Sequence, residues 1–176
     1  MYERAMGPSF TTLDPEVRLF HTLAGCHELR GAVETEAPST LAGKLLARML
    51  GTPRRQNHGS LVFSLDASPT TEHWTRRFPA SAMSSTLRLD TPGIVEQLGT
   101  ARMAFQLEAV EGKLVMRLRQ LWFAGIRCPT WLMPRVTAEE TGTANRLNFH
   151  VRATVPGAGL VVAYRGYLVL PTQEAT

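Results

Sequence analysis

The sequence is poor in the residues that build disulfides and metal sites. Of its 176 residues only Cys26 and Cys128 are cysteines, and neither lies in a CxxC or near a closely spaced pair of histidines. We expect both to be reduced thiols. The five histidines are dispersed, and no two have the i, i+2 or i, i+4 relation that aligns metal ligands on one element. We therefore expect neither a metal nor a cofactor.

Motifs of the common enzyme classes are also missing. The chain has no GxGxxG, GxxxxGK[ST], HExxH, GxSxG or EF-hand loop. A Ser-His-Asp triad stays open because such triads assemble from distant positions, although no serine lies in a recognisable nucleophile motif. No apolar run approaches the roughly 18 residues of a membrane helix, and the first ten residues lack a signal-peptide core. We expect a cytoplasmic protein without stable membrane insertion.

Charge is only weakly patterned. The chain has 19 Lys and Arg against 15 Asp and Glu, a net charge of +4, and all but two of the basic residues are Arg. This Arg excess is typical of GC-rich bacterial coding. The longest basic runs are the pairs Arg54-Arg55 and Arg76-Arg77, whereas proteins that track phosphates cluster their charges on one face or arm. We expect no nucleic-acid partner.

Helical spacing is confined to the N-terminal segment, residues 1–58. Asp14 is in the position of an N-cap before Pro15, and apolar residues then recur at helical spacing as far as Gly25. A strand is predicted over 28–36. A second helix opens at Pro38-Ser39 and ends at Gly51, whose freedom suits a C-terminal cap.

After Gly59 the apolar period changes from 3.6 to 2 and stays there almost to the end. Glu111-Gly112 is typical of a tight hairpin turn, and only 90–98 is compatible with a helical turn. Consecutive strands on short loops must be antiparallel, and so many strands leave open edges unless the sheet curls towards closure. Unbroken alternation also places Trp122 on the same face as Met116.

The composition, 44% hydrophobic and 7% aromatic, indicates one globular domain spanning 1–176. The predicted fold is mainly β with minor α: a strongly bent antiparallel sheet or calycin-like β-barrel of about eight or nine strands, with two short helices near the N-terminus. We expect the barrel over 59–171 and a frayed tail over 172–176.

One predicted strand carries an unusual set of side chains. Trp74, Arg76 and Phe78 share a face because side chains alternate along a strand. If that face points inward, Arg76 must meet a carboxylate or an anionic or carbonyl group of a ligand, since an unpaired buried charge is costly. The alternative is that Arg76 snorkels or pairs with Glu72 or Glu108 beneath the rings.

Tyr164, in the last predicted strand, is the second polar candidate. It shares a face with Gly166, and a glycine in mid-strand marks a bend or a close approach by another group. A tyrosine hydroxyl against an apolar wall can orient a small ligand, the alternative being a satisfied core tyrosine. We take Tyr164 and Arg76 as candidate catalytic residues. The candidate substrate-binding walls are Trp74, Phe78, Met103, Phe105, Met116, Trp122 and Trp131, the last in a proline-flanked loop at the lip of the pocket.

Several stretches, over 1–10, 74–78, 123–125 and 164–168, resemble a bacterial domain-of-unknown-function family. That family occurs alone and as a C-terminal extension of saccharopine-dehydrogenase-like reductases. The resemblance spans nearly the whole chain, and its W-x-R-x-F and Y-R-G-x-L elements imply that residues such as Trp74, Arg76 and Tyr164 belong to the family pattern. Since the reductase portion is absent, the resemblance implies no nicotinamide cofactor here.

Three functions fit these observations. The first is a pocket-type cyclase or isomerase of secondary metabolism that templates ring closure of an apolar, carbonyl-containing metabolite such as a polyketide, without metal or covalent catalysis. The second is a non-catalytic barrel that binds a hydrophobic or lipid-like small molecule. The third is a structural domain whose interior is filled by side chains. In the first two the partner is a small apolar organic molecule, and a homodimer is left open.

Overall fold

The computed structural model describes residues 1–171, so the tail predicted over 172–176 lies outside the described residues. Eleven strands make up most of it. They are β1 (Gly25–Glu36), β2 (Asn57–Ala67), β3 (Thr71–Phe78), β4 (Ser81–Asp90), β5 (Gly93–Leu98), β6 (Ala101–Val110), β7 (Lys113–Phe123), β8 (Ile126–Arg127), β9 (Arg135–Thr143), β10 (Arg146–Val155) and β11 (Gly159–Val169).

Ten of these strands form a closed antiparallel barrel. The hydrogen-bonded order is β6-β5-β4-β3-β2-β1-β11-β10-β9-β7, and pairing of β7 with β6 closes the ring, while β8 pairs with β7 outside it. The predicted fold class is therefore confirmed, with slightly more strands than expected. β1 is a full member of the ring although it lies within residues 1–58.

The helical turn predicted within 90–98 is wrong. This segment holds β5, which pairs with both β4 and β6. The consecutive residues Ile94 and Val95 are both buried. β5 therefore lacks the alternation of apolar and polar residues that marks a strand with one solvent-exposed face.

The N-terminal helices close one end of the barrel. They are α1 (Tyr2–Met6) and α2 (Pro15–Thr22), joined by a 3-10 segment, and they bury Tyr2, Val17 and Phe20 almost completely. Asp14 precedes α2 in the N-cap position as predicted, but its side chain does not cap the helix. The carboxylate instead accepts a bond from the Gly142 amide at 2.8 Å, which ties α2 to the β9–β10 hairpin.

A third helix, α3 (Leu41–Leu50), lies across the opposite end. At its start, the Thr40 hydroxyl accepts a bond from the Gly43 amide at 2.9 Å and donates to the Ala158 carbonyl at 2.5 Å, in the β10–β11 turn. At its end, Gly51 takes a left-handed conformation with φ 70° as predicted. Gly99, in the β5–β6 turn, touches the end of the helix, since a Cβ there would lie 2.8 Å from the Met49 carbonyl oxygen. α3 thus spans the mouth of the barrel.

Strands β1 and β11 leave no room for a side chain at two glycines. A Cβ added to Gly166 would lie 2.0 Å from the Ala32 carbonyl oxygen, and one added to Gly31 would lie 1.7 Å from that of Tyr167. The close approach predicted at Gly166 is therefore to the neighbouring strand.

A β-bulge interrupts β7. Ala104 pairs with Gln120 but Phe105 pairs with Leu118, so Arg119 is an extra residue in β7. Because side chains alternate along a strand, one extra residue exchanges the faces beyond it. The cavity side of β7 therefore carries Met116 before the bulge and Leu121 and Phe123 after it. Within residues 1–171, no helix is long and apolar enough to cross a membrane.

Candidate ligand cavity

The barrel interior contains a cavity of about 450 Å³ between the N-terminal helices and α3. Its floor includes Phe20 of α2, and its roof includes Leu46 and Leu50 of α3. Most of the lining is aliphatic or aromatic. This volume lies in the range of small-molecule sites, and it shows that side chains do not fill the interior of the barrel.

Six of the nine residues that the sequence predicts for the site line this cavity. They come from four strands: Trp74 and Arg76 from β3, Met103 and Phe105 from β6, Met116 from β7, and Tyr164 from β11. Phe78 is buried but lies behind the wall, where its ring meets that of Tyr164 edge-on with centroids 5.5 Å apart. Phe78 therefore supports Tyr164 from outside the cavity.

Trp122 and Trp131 lie outside the lining, in contrast to the expectation for both. The bulge at Arg119 turns Trp122 to the outer surface, where the Arg102 guanidinium stacks 4.9 Å from its ring centre. Trp131 lies in the 3-10 segment Thr130–Leu132 and is 76% exposed; its neighbour Leu132 reaches the cavity instead.

Arg76 is buried in the cavity wall. Its guanidinium lies over the rings of Trp74, at 4.8 Å, and Phe63, at 5.7 Å, an arrangement in which cation and ring attract each other. Its carboxylate partner is Glu96 of β5, at 3.9 Å from Nη2, and not Glu72 or Glu108. The sequence marks segment 90–98 as compatible with a helical turn and predicts no strand there, so it does not place Glu96 inside the barrel.

Most of the hydrogen-bonding capacity of Arg76 is unused. A guanidinium has five N–H groups, and within residues 1–171 the only hydrogen bond from Arg76 runs from Nη1 to the Ser85 hydroxyl, at 3.1 Å. The distance to Glu96 is too long for a direct hydrogen bond. Donors of Arg76 are therefore left for a molecule in the cavity.

A second polar pair lies at the floor and was not predicted. His21 of α2 and Glu140 of β9 meet with 2.6 Å between Nε2 and Oε2, both buried, and Glu140 lines the cavity. The His21 ring stacks on Tyr2 at 3.7 Å. These residues are 119 positions apart, so only the tertiary fold brings them together.

The same floor buries a further carboxyl group behind Trp74. Glu72 accepts a bond from the indole Nε1 of Trp74 at 2.8 Å and is 4% exposed. Burial raises the pKa of Glu72 above its ordinary value, partly opposed by the charge of His21 and the bond from Trp74. This bond holds the indole of Trp74 in the cavity wall.

Tyr164 lines the cavity with a free hydroxyl. Tyr164 is buried, with only 8% of the residue exposed, yet within the described residues its hydroxyl forms no hydrogen bond to the protein. Burial raises the pKa of Tyr164, opposed by the positive charge of Arg76 and reinforced by Glu96 and Glu140. The phenol therefore stays neutral at physiological pH and can donate a hydrogen bond.

Together, Tyr164 and Arg76 offer donors, and Glu140 offers a carboxylate, inside a largely apolar space. Such a set can hold a carbonyl oxygen and take a proton from a neighbouring carbon. Within residues 1–171, no group of three or more His, Cys, Asp or Glu side chains is placed to hold a metal ion.

Comparison with known proteins places the chain in a family but assigns no activity. No curated protein matches it. Among solved structures, the crystal structure of Rv2717c from M. tuberculosis is similar with a TM-score of 0.48 and 11% identity, over 91% of this chain and 99% of that chain. The family model described as domain of unknown function (DUF4166) matches residues 13–168. The occurrence of the family as an extension of reductases stays a prediction. Since the family model covers most of the sequence, this chain belongs to the DUF4166 family of domains of unknown function.

Proposed function

We propose that the barrel binds a medium-sized apolar molecule that carries a carbonyl or a similar hydrogen-bond acceptor. The observation that carries this proposal is the pair of buried donors, Arg76 and Tyr164, whose N–H and O–H groups have unused capacity on the wall of a cavity of about 450 Å³. Buried donors without partners are costly, so an acceptor supplied by a ligand is favoured there.

The remaining lining sets the chemistry of the rest of the ligand. Leu61, Phe63, Met83, Met103 and Leu147 are typical of the wall, and methionine adapts to irregular shapes. A ligand bound here exchanges water for apolar contacts over most of its surface and needs only one polar group to fix its orientation.

Nile red, a neutral apolar dye with one carbonyl, is a suitable probe because its fluorescence rises on leaving water. We expect saturable binding that Ala138→Phe abolishes, since Ala138 is buried and lines the cavity. Tyr164→Phe should weaken the affinity about 3- to 10-fold, the effect of one hydrogen bond, without lowering the thermal stability, since the hydroxyl has no partner in the protein.

Tyr167→Phe is the matched control, because Tyr167 lies on the other face of β11, where Arg146 stacks on its ring. It should leave Nile red binding unchanged. Binding that persists undiminished in Ala138→Phe would show that the dye does not enter the cavity and would remove the support for this function.

A second candidate function is isomerisation or ring closure of such a carbonyl compound, for example a polyketide. The carboxylate of Glu140 on the cavity wall favours it, because His21 at 2.6 Å holds that carboxylate in place. In this reaction Glu140 takes a proton from the carbon next to the carbonyl, Tyr164 and Arg76 stabilise the resulting enolate oxygen, and the proton returns at another carbon. No metal or covalent intermediate is needed.

Proton removal can be measured without knowing the product. Linear polyketide-like diketones are incubated with the protein in deuterated water, and exchange at the carbon between the carbonyls is followed by NMR. We expect acceleration over buffer that Glu140→Gln removes while Nile red still binds. If the exchange rate equals that of buffer, the barrel binds its ligand without converting it.

A further inference from the structure

Helix α3 exposes an apolar stripe to solvent. Leu41, Leu45 and Met49 recur every fourth residue, so they lie along one side of the helix, and they are 83%, 61% and 42% exposed. The opposite side carries Leu46 and Leu50, which roof the cavity. A surface helix normally turns one apolar face inward and a polar face to water, so a second apolar face has no role in the isolated fold.

Two further exposed apolar residues lie at the same end of the barrel. Ile126 of β8 is 75% exposed and Trp131 is 76% exposed, in the segment that follows β7. We name Leu41, Leu45, Met49, Ile126 and Trp131 the mouth surface. They make up five of the seven large hydrophobic residues exposed in the described chain. The other two, Val110 and Val169, lie at the opposite end, near the N-terminal helices.

Basic residues surround the mouth surface. Six exposed cations come from α3, from the segment after it, and from the neighbourhood of β8 and the start of β9: Lys44, Arg48, Arg54, Arg55, Arg127 and Arg135. Among the exposed acids, Glu36 lies at this end, and it is already paired with Arg152 at 2.8 Å. Exposed acids concentrate at the other end instead, for example Asp66, Asp90 and Glu111 in or beside its turns.

We propose that the mouth surface docks the protein onto an anionic lipid bilayer, with α3 lying in the interface. Its apolar stripe would enter the boundary between headgroups and acyl chains, and the cations around it would contact acidic headgroups. Short amphipathic helices with leucine or tryptophan on one side and Lys or Arg beside it bind membranes in this way. The proposal does not depend on which molecule occupies the cavity.

The cations around the mouth surface argue against two other occupants, a second copy of the chain and a nucleic acid. In a symmetric dimer the same patch faces itself, so Lys44 and Arg48 would approach their own copies and repel them. A polyanion such as RNA would use the cations but leave the apolar centre, Leu41 and Leu45, without contacts. An acidic bilayer offers headgroups to the cations and acyl chains to the apolar centre.

The test is co-sedimentation of the full chain with vesicles of phosphatidylserine and phosphatidylcholine in an about 3:7 molar ratio, against vesicles of phosphatidylcholine alone. We expect binding to the acidic vesicles that is at least tenfold stronger and that falls as salt is raised. Lys44→Gln with Arg48→Gln should weaken binding about tenfold or more, since each cation near such a surface contributes about fivefold.

Leu45→Glu tests the apolar stripe, and Val110→Glu is its control, because both replace an exposed apolar side chain by the same charge at opposite ends of the barrel. Circular dichroism and thermal melting serve to check that both variants fold. We expect Leu45→Glu to lose vesicle binding and Val110→Glu to retain it.

Three results would overturn the proposal. One is that the protein does not bind acidic vesicles even at low salt. Another is that Leu45→Glu and Val110→Glu weaken binding equally, which would show only a general effect of charge. The third is sedimentation as a dimer that Leu45→Glu converts to a monomer, which would make the mouth surface an interface between copies. Nile red binding by Leu45→Glu, unchanged from the wild type, would show that the cavity is intact in each case.

Discussion

Replacing Arg76 by methionine tests how a guanidinium is held inside an apolar barrel. The substitution keeps the length of the aliphatic chain but leaves the Glu96 carboxylate, whose side chain is 13% exposed, without its partner at 3.9 Å. At that distance two charges attract by about 4 kcal/mol with an effective dielectric constant of about 20, and breaking a buried pair typically costs about 3–5 kcal/mol. The bond to Ser85 and the stacking on Trp74 are lost as well.

Adding Glu96→Gln to this variant should recover most of the loss. The double variant no longer buries a lone charge, and neutral replacements of buried pairs are often close to neutral in stability. We therefore expect the single substitution to lower the melting temperature by about 8–16 °C, and the double variant to recover more than half of that drop. Glu96→Gln alone should destabilise less than Arg76→Met, because Arg76 keeps Ser85 and the rings as partners.

The assay is urea unfolding of the wild type, both single variants and the double variant, read as a double-mutant cycle. Nile red affinity of the double variant then separates the two roles of Arg76. A stable double variant that has lost binding assigns the guanidinium to the ligand. The reasoning is refuted if Arg76→Met costs less than about 1 kcal/mol, or if the double variant is less stable than either single variant.

Three further outcomes are expected. Glu72→Gln should be more stable than the wild type at about pH 7 but not at about pH 4. The pKa of Glu72 is raised above 4.5 in the folded protein, so its contribution to stability falls as the pH rises above that value. Urea unfolding of both proteins at the two pH values measures the difference. Tyr2→Phe should stabilise the fold by about 1 kcal/mol, since the buried Tyr2 hydroxyl has no partner within the described residues. It should also reduce the loss of stability above pH 10, where the raised pKa of Tyr2 disfavours the folded state. Equal alkaline unfolding curves for the wild type and the variant would contradict this. Thr40→Ala should destabilise by about 1–2 kcal/mol through loss of the cap of α3, and hydrogen exchange should rise first at the start of that helix, for example at Gly43.

The fold class was accessible from the sequence because it depends on local signals. A period of two and short turns such as Glu111-Gly112 allow only antiparallel neighbours, and the cost of open edges favours closure. The helix boundaries at Pro15 and Gly51 follow from capping chemistry. The sequence does not reveal strand β5, because residues 93–95 are buried in succession and this removes the alternation that a strand prediction relies on.

The site was only partly accessible, because its remaining contacts depend on tertiary structure. Parity alone places Trp74 and Arg76 on one face of their strand and Tyr164 on a face with Gly166, and the structure shows that both faces point into the barrel. No local pattern links His21 to Glu140 or Arg76 to Glu96, because the first pair joins helix α2 to strand β9 and the second joins strand β3 to strand β5. The sequence does indicate that Arg76 needs a partner if its face points inward, because this follows from the cost of burying a charge and does not depend on which carboxylate is near.

The bulge in β7 decides which of the side chains beyond it face the cavity. If Arg119 were kept but paired in plain alternation, without the bulge, Trp122 would turn inward while Leu121 and Phe123 turned outward. Deleting Arg119 together with the bulge would leave Leu121 and Phe123 facing the cavity, because the remaining residues then alternate from Met116 onward. Loss of the bulge alone would therefore replace two wall residues with a single larger ring and change the shape of the space beneath α3, without any substitution in the lining.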